Sequence, residues 1–131
     1  MSESSPLVAQ ATILVVDDSA DTRAVLRRML AYRGYRVVEA ADGCEAVEVA
    51  VSECPDLIVM DLNMPVMDGL AATEKIRELR EKCGHVPIVA VTAFDTYGIK
   101  EAALEAGCDA YLLKPLALEE LESVIEGMLL S

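Results

Sequence analysis

Ile13-Leu14-Val15-Val16-Asp17-Asp18 is an unbroken apolar run that stops abruptly on two adjacent acids. Side chains alternate between the two faces of a strand, so four apolar residues in succession require burial on both faces. Strands of that kind belong to parallel sheets covered by helices on each side. Working outward, Leu57-Ile58-Val59-Met60 and Ile88-Val89-Ala90-Val91 repeat the pattern. Val37-Val38 and Tyr111-Leu112-Leu113 are shorter runs of the same type.

Between these runs the period lengthens to that of a helix. Val25, Leu26, Met29 and Leu30 recur at helical spacing, with Arg23, Arg27 and Arg28 interleaved. Ala46, Val47 and Ala50 follow Asp42, a suitable N-cap. Leu70, Ile76 and Leu79 mark a third helix after Asp68-Gly69, and Ala102, Ala103, Leu104 and Ala106 a fourth, closed by Gly107. Leu118, Leu121, Val124, Ile125 and Met128 give a fifth. Strand and helix therefore alternate five times, which predicts an α/β fold with one five-stranded parallel sheet and helices on both faces. The order of the strands cannot be read from periodicity.

The 131 residues suit one domain, with residues 1–11 expected to be a flexible tail and 12–131 the folded unit. There is no tryptophan and one phenylalanine, so the core must be aliphatic. A net charge of -12 repels phosphate backbones, so direct nucleic-acid binding is not expected. No stretch reaches about 18 apolar residues and no signal-like start is present, so neither a membrane span nor export is expected. Cys44, Cys54, Cys83 and Cys108 contain no C-x-x-C pair, and they read as free thiols in a reducing cytoplasm. His85, beside Gly84 and Pro87, reads as an exposed loop residue. No segment follows the fifth helix, so no attached output domain is expected in this chain.

The ends of the apolar runs carry the chemistry. The first ends in Asp17-Asp18, the third in Asp61, the fourth in Thr92 and the fifth in Lys114. In an open parallel sheet these ends share one edge, where ligands bind. Each residue has a plainer explanation: Asp17, Asp18 and Ser19 could cap a helix, Asp61 could begin a turn with Asn63, and Lys114 could be a solvated charge. Together they are harder to dismiss, because three acids on one edge repel one another unless a cation joins them. Mg²⁺ is the natural candidate, being hard, oxygen-seeking and suited to one or two carboxylates plus a phosphate oxygen. Lys114 offers a point charge for a second phosphate oxygen, Thr92 a hydroxyl, and one carboxylate is left as a nucleophile able to form an acyl phosphate.

The segments "VVDDSADTR", "MDLNMPVMDG", "AVTA" and "DAYLLKP", in this order and each at a strand end, resemble the receiver domains of bacterial response regulators across residues 12–130. The resemblance implies a flavodoxin-like (βα)5 fold with strand order 2-1-3-4-5, an order for which the chemotaxis receiver is a standard example. It implies Asp61 as phosphoacceptor, with Mg²⁺ held directly by Asp18 and Asp61, mainly through water by Asp17, and by the backbone carbonyl of Asn63. Lys114 would hold a phosphoryl oxygen, ahead of a cis Lys114-Pro115 bond. Thr92 and Tyr111 would form the switch pair, repacking the face built by the fourth helix, fifth strand and fifth helix. The implied partners are a sensor histidine kinase or histidine phosphotransfer protein upstream and an effector protein downstream, and the donor is expected to dock on the first helix, where Arg23, Arg27 and Arg28 fall near one face. The chain would accept and slowly lose a phosphoryl group, not turn over a substrate.

No position that the family's chemistry needs is substituted. Phe94 is apolar where many relatives carry a polar group, and the fifth helix has Glu119, Glu120, Glu122 and Glu126 with no basic residue. The second feature departs from DNA-binding members, which pair through a mixed-charge final helix. Two rivals fit less well. A haloacid-dehalogenase-like phosphatase needs a second Asp two residues after its nucleophile on the first strand, which Asp17-Asp18-Ser19 lacks. A flavodoxin-like cofactor binder would have to cradle a phosphate where Asp17 and Asp18 repel it.

Overall fold

The computed structural model describes residues 11–62, 68–79, 85–93 and 98–130. Its elements alternate as expected: β1 (Thr12–Val16), α1 (Ala20–Tyr32), β2 (Arg36–Ala40), α2 (Gly43–Glu53), β3 (Leu57–Asp61), α3 (Gly69–Glu78), β4 (Ile88–Thr92), α4 (Ile99–Ala106), β5 (Ala110–Leu113) and α5 (Leu118–Leu130). All strand pairings are parallel, and the order across the sheet is β2-β1-β3-β4-β5.

This order and the right-handedness of parallel crossovers together decide which helix covers which face. The step from β1 to β2 runs one way across the sheet, and the later steps run the other way. Accordingly α1 lies on one face, α2, α3 and α4 lie on the opposite face, and α5 returns to the side of α1. The strands supply both cores by alternation. Leu14, Val16, Ile58, Met60, Ile88 and Ala90 pack with Ala46, Ala50, Ala72, Ile76 and Ala103 of α2–α4. Ile13, Val15, Leu57, Val59 and Val89 pack with Leu26, Leu30, Leu121 and Ile125 of α1 and α5. The continuous apolar runs are therefore sandwiched, as their composition required.

Local signals set the helix boundaries. Ser19, Asp42 and Asp68 each accept a backbone N–H of the first turn, from Thr22 at 3.2 Å, Glu45 at 2.8 Å and Ala71 at 2.8 Å. Gly107 closes α4 at φ 118°, a conformation in which a Cβ would be costly. At the N-terminal side, Ala11 is buried and its carbonyl accepts from the Arg36 N–H at 3.0 Å, so residue 11 packs with the folded unit. Cys44, Cys54 and Cys108 are free thiols, and no helix among the described residues is long and apolar enough to cross a membrane.

Candidate functional site

The strand order reverses at β1, whose neighbours are β2 and β3, and a crevice opens there at the carboxyl edge of the sheet. Register brings the run ends to that edge. Val16 pairs with Met60, Asp61 with Val91, and Thr92 with Leu113. Asp17, Asp61 and Lys114 thus emerge beside one another although they lie far apart in the chain.

Backbone hydrogen bonds extend the sheet past its last paired residues. The Asp17 N–H donates to the Ala40 carbonyl at 3.1 Å, the Leu62 N–H to Val91 at 2.9 Å, and the Lys114 N–H to Thr92 at 2.8 Å. Asp17 and Asp61 are therefore held by sheet backbone, and Asp18 sits in the turn that follows β1. Asp17, Asp61 and Thr92 are buried, whereas Asp18 is exposed. Buried carboxylates need partners. Lys114 Nζ lies 3.3 Å from Asp17 Oδ2 and 3.5 Å from Asp61 Oδ2. The other Asp17 oxygen accepts the Ser19 N–H at 2.8 Å. Ser19 therefore caps α1 with its hydroxyl while its own N–H holds Asp17, so helix capping and site building use the same turn.

Carboxylate oxygens of Asp17, Asp18 and Asp61 all lie within 4.8 Å of one another. Among the described residues, the Lys114 ammonium meets two of these three carboxylates, so negative charge is in excess in the cluster. Its donors are all hard oxygens, with no imidazole or thiolate in the group. Such a set fits a small divalent cation of the Mg²⁺ type and not a structural zinc ion. Thr92 closes β4 beside this cluster, and the Lys114-Pro115 bond is cis. Tyr111 is half-buried and packs against the core on the α2–α4 side. Asn63 and Phe94 lie outside the described residues, so the roles expected of them have no structural account here.

The family model of the response regulator receiver domain matches residues 13–126. The chain belongs to that family. This receiver is 46% identical over 117 residues to the response regulator MprA of Mycobacterium ulcerans (strain Agy99), a match covering 89% of this chain and 49% of that protein. The chain thus spans about half the length of the curated relatives it matches. It is also similar to the receiver domain of the sensor histidine kinase PA1611 from Pseudomonas aeruginosa PAO1, solved with a magnesium ion coordinated in the active-site cleft. That match has a TM-score of 0.85 and 39% identity, over 93% of this chain and 99% of the other. A third match, with a TM-score of 0.82 and 32% identity over 88% of this chain and 86% of the other, is to the Saccharomyces cerevisiae co-crystal structure of the histidine phosphotransfer protein Ypd1 with the receiver domain of Ssk1. The receiver is accordingly a signalling module of two-component systems, with the flavodoxin-like strand order implied by its motifs.

Three features around this site arise from tertiary contacts that the sequence does not display. Gly69 ends the segment MDLNMPVMDG, and nothing local shows why glycine stands there. A Cβ at Gly69 would lie 2.4 Å from the Asp61 carbonyl oxygen and 2.7 Å from Leu62 Cα, so the start of α3 presses directly on the backbone of the acid. Glu39 lies on the edge strand β2, whose apolar run Val37-Val38 is short, and no local pattern marks it. By sequence, Arg23, Arg27 and Arg28 form one basic face of α1. In the structure Arg23 Nε and Arg27 NH1 both donate to Glu39, at 2.9 and 2.5 Å, and only Arg28 of the three lines the groove facing α5. Arginine spacing on one helix could not disclose an acid on a neighbouring strand.

Proposed function

We propose that Asp61 accepts a phosphoryl group from a histidine kinase or phosphotransfer protein, with Mg²⁺ as the assisting ion. The observation that carries this is a buried carboxylate at the end of the central strand with Lys114 Nζ 3.5 Å away and two further carboxylates within 4.8 Å. An Asp61 oxygen attacks phosphorus, the bond from phosphorus to the donor nitrogen breaks, and the donor imidazole leaves. Lys114, already between Asp17 and Asp61, turns toward a phosphoryl oxygen as the negative charge arrives. Asp18 and Asp61 would hold the cation directly, with Asp17 acting through water and Asn63 through its carbonyl. Bound there, Mg²⁺ supplies charge neutralisation for the transferring group.

The donor is proposed to dock where α1 meets the segment after β5. A cavity of about 520 Å³ opens there, lined by Thr22, Val25, Leu26, Lys114, Pro115 and Leu118 among others. It places an apolar footing next to the ammonium of the site, with Val25 52% exposed. Thr92 and Tyr111 form the proposed switch, and the signal leaves through α4, β5 and α5 to an effector protein, not to nucleic acid. The domain modifies its own side chain and loses the phosphoryl group slowly, so it is not a turnover enzyme. Its thiols and the nature of its donors support a cytoplasmic location.

The test is uptake of phosphate from acetyl phosphate with Mg²⁺. The wild-type chain is expected to take up one hydroxylamine-labile phosphate, and Asp61→Asn none. Stoichiometric labelling of Asp61→Asn would remove Asp61 from the role.

A further inference from the structure

We infer that Arg23 is a positioning residue that sets the geometry of the acid pair and, through it, the affinity of the site for its divalent cation. The inference rests on the reading of Asp17, Asp18 and Asp61 as a cation site.

Arg23 lies in the opening part of α1 and reaches back over the β1–α1 turn. Its NH1 donates to the carbonyl oxygen of Asp17 at 2.6 Å, and its Nε donates to Glu39 Oε1 at 2.9 Å. Glu39 is itself held on its second oxygen by Arg27 NH1 at 2.5 Å. The next residue along β2, Ala40, accepts the Asp17 N–H at 3.1 Å. Both backbone polar groups of Asp17 are therefore tied to the end of β2, one directly and one through the guanidinium.

The carbonyl gripped by Arg23 belongs to the peptide plane that joins Asp17 to Asp18. Rotating that plane turns the Asp18 backbone and swings its carboxylate. Asp17 has further restraints, because its carboxylate is held by Ser19 and Lys114. Asp18 is exposed, so its direction depends heavily on the peptide before it. A planar guanidinium is suited to this task, since its rigid fork can hold a carbonyl and a carboxylate at fixed angles. The Arg23 side chain is 17% exposed and that of Glu39 30%, so the pair is sheltered from much of the screening that weakens surface ion pairs. Groups of this kind, which orient ligands without touching the ion, typically carry about 10–100-fold in metal affinity or activity.

Arg23→Lys keeps the positive charge and discards the fork, which separates geometry from simple electrostatics. Mg²⁺ would be titrated into the unphosphorylated protein and followed by the Asp18 and Ser19 amide signals in NMR. The expected result is a Kd about 10-fold weaker in Arg23→Lys. Its acetyl phosphate reaction should be slow at limiting Mg²⁺ and return toward wild type when Mg²⁺ saturates. Glu39→Gln retains one acceptor for Nε and should weaken the Kd by a smaller but measurable factor. The double variant should be no weaker than Arg23→Lys alone, because both changes act through one brace. A folded Arg23→Lys with wild-type Mg²⁺ affinity overturns the inference, as does a lowered melting temperature with unchanged affinity. If Arg23→Lys does not fold, unchanged affinity in Glu39→Gln overturns it instead. Absence of Mg²⁺ binding by the wild-type chain would overturn the cation site itself and this inference with it.

Discussion

Replacing Gly69 by alanine tests how closely the fold of the receiver is built around its acid. The added Cβ would stand 2.4 Å from the Asp61 carbonyl oxygen, 2.7 Å from Leu62 Cα and 2.8 Å from Leu62 Cδ2. The first contact falls about 1 Å short of ordinary van der Waals separation, and two of the three are with backbone that cannot swing aside. Relief requires either the start of α3 or the Asp61–Leu62 segment to move by about that distance. Overpacking of this kind costs about 1–3 kcal/mol, which lowers the melting temperature of a domain this size by about 3–10 °C. The larger effect should be chemical. A displacement of about 1 Å at a reacting group can cost about 100-fold in rate. The assay is the rate of phosphorylation by acetyl phosphate at saturating Mg²⁺, measured beside thermal unfolding. Gly127→Ala is the control, since a Cβ there meets nothing within 4 Å, and removing a mid-helix glycine should stabilise the domain by about 0.5–1 kcal/mol. A Gly69→Ala protein with wild-type melting and wild-type phosphorylation would refute the reasoning, because the α3 contact would then impose no constraint on Asp61.

Three further outcomes follow from the geometry. Thr92→Ala should still accept phosphate but bind its effector as weakly as the unphosphorylated form. A hydrogen bond to a charged group supplies about 1.5–3 kcal/mol against the roughly 5.5 kcal/mol of a full 1:99 to 99:1 swing, so in the proposed switch Thr92 would act together with Lys114 and a bound cation. Effector binding in Thr92→Ala that still depends on phosphate would contradict this. Val25→Glu, in the groove beside Lys114, should slow transfer from a phosphorylated donor protein while leaving the acetyl phosphate reaction unchanged; equal slowing with both would mean that the acid site itself had been damaged. Finally, burial raises the hydroxyl pKa of Tyr35 above its ordinary value of 10.0, with Glu126 and Glu122 adding to the effect. The folded state then holds that proton more tightly than the unfolded chain. Its contribution to stability is complete below pH 10 and declines as pH rises through the folded pKa. Tyr35→Phe should flatten the alkaline arm of the stability profile, and an unchanged arm would assign that loss to other groups.

Much of the receiver is legible without coordinates because its strands are buried on both faces. Burial of that kind forces continuous apolar runs, and an acid, a hydroxyl or a lysine at the end of such a run stands out as a deliberate interruption. Asp17, Asp18, Asp61, Thr92 and Lys114 stand out in this way as candidates, and the caps at Asp42 and Gly107 are legible because capping is a property of a few consecutive residues. Tertiary structure decided the rest. Strand order, given only by resemblance, rests on which runs pair, and periodicity carries no record of pairing. The partners of Arg23 and Arg27 depend on β2 lying beside β1, which brings Glu39 under α1 and pairs both arginines of the expected basic face with an acid. The need for glycine at position 69 likewise arises only once α3 meets the backbone after β3. A residue's own chemistry and its near neighbours are written in the sequence, whereas the contacts between distant segments exist only when the sheet has been assembled.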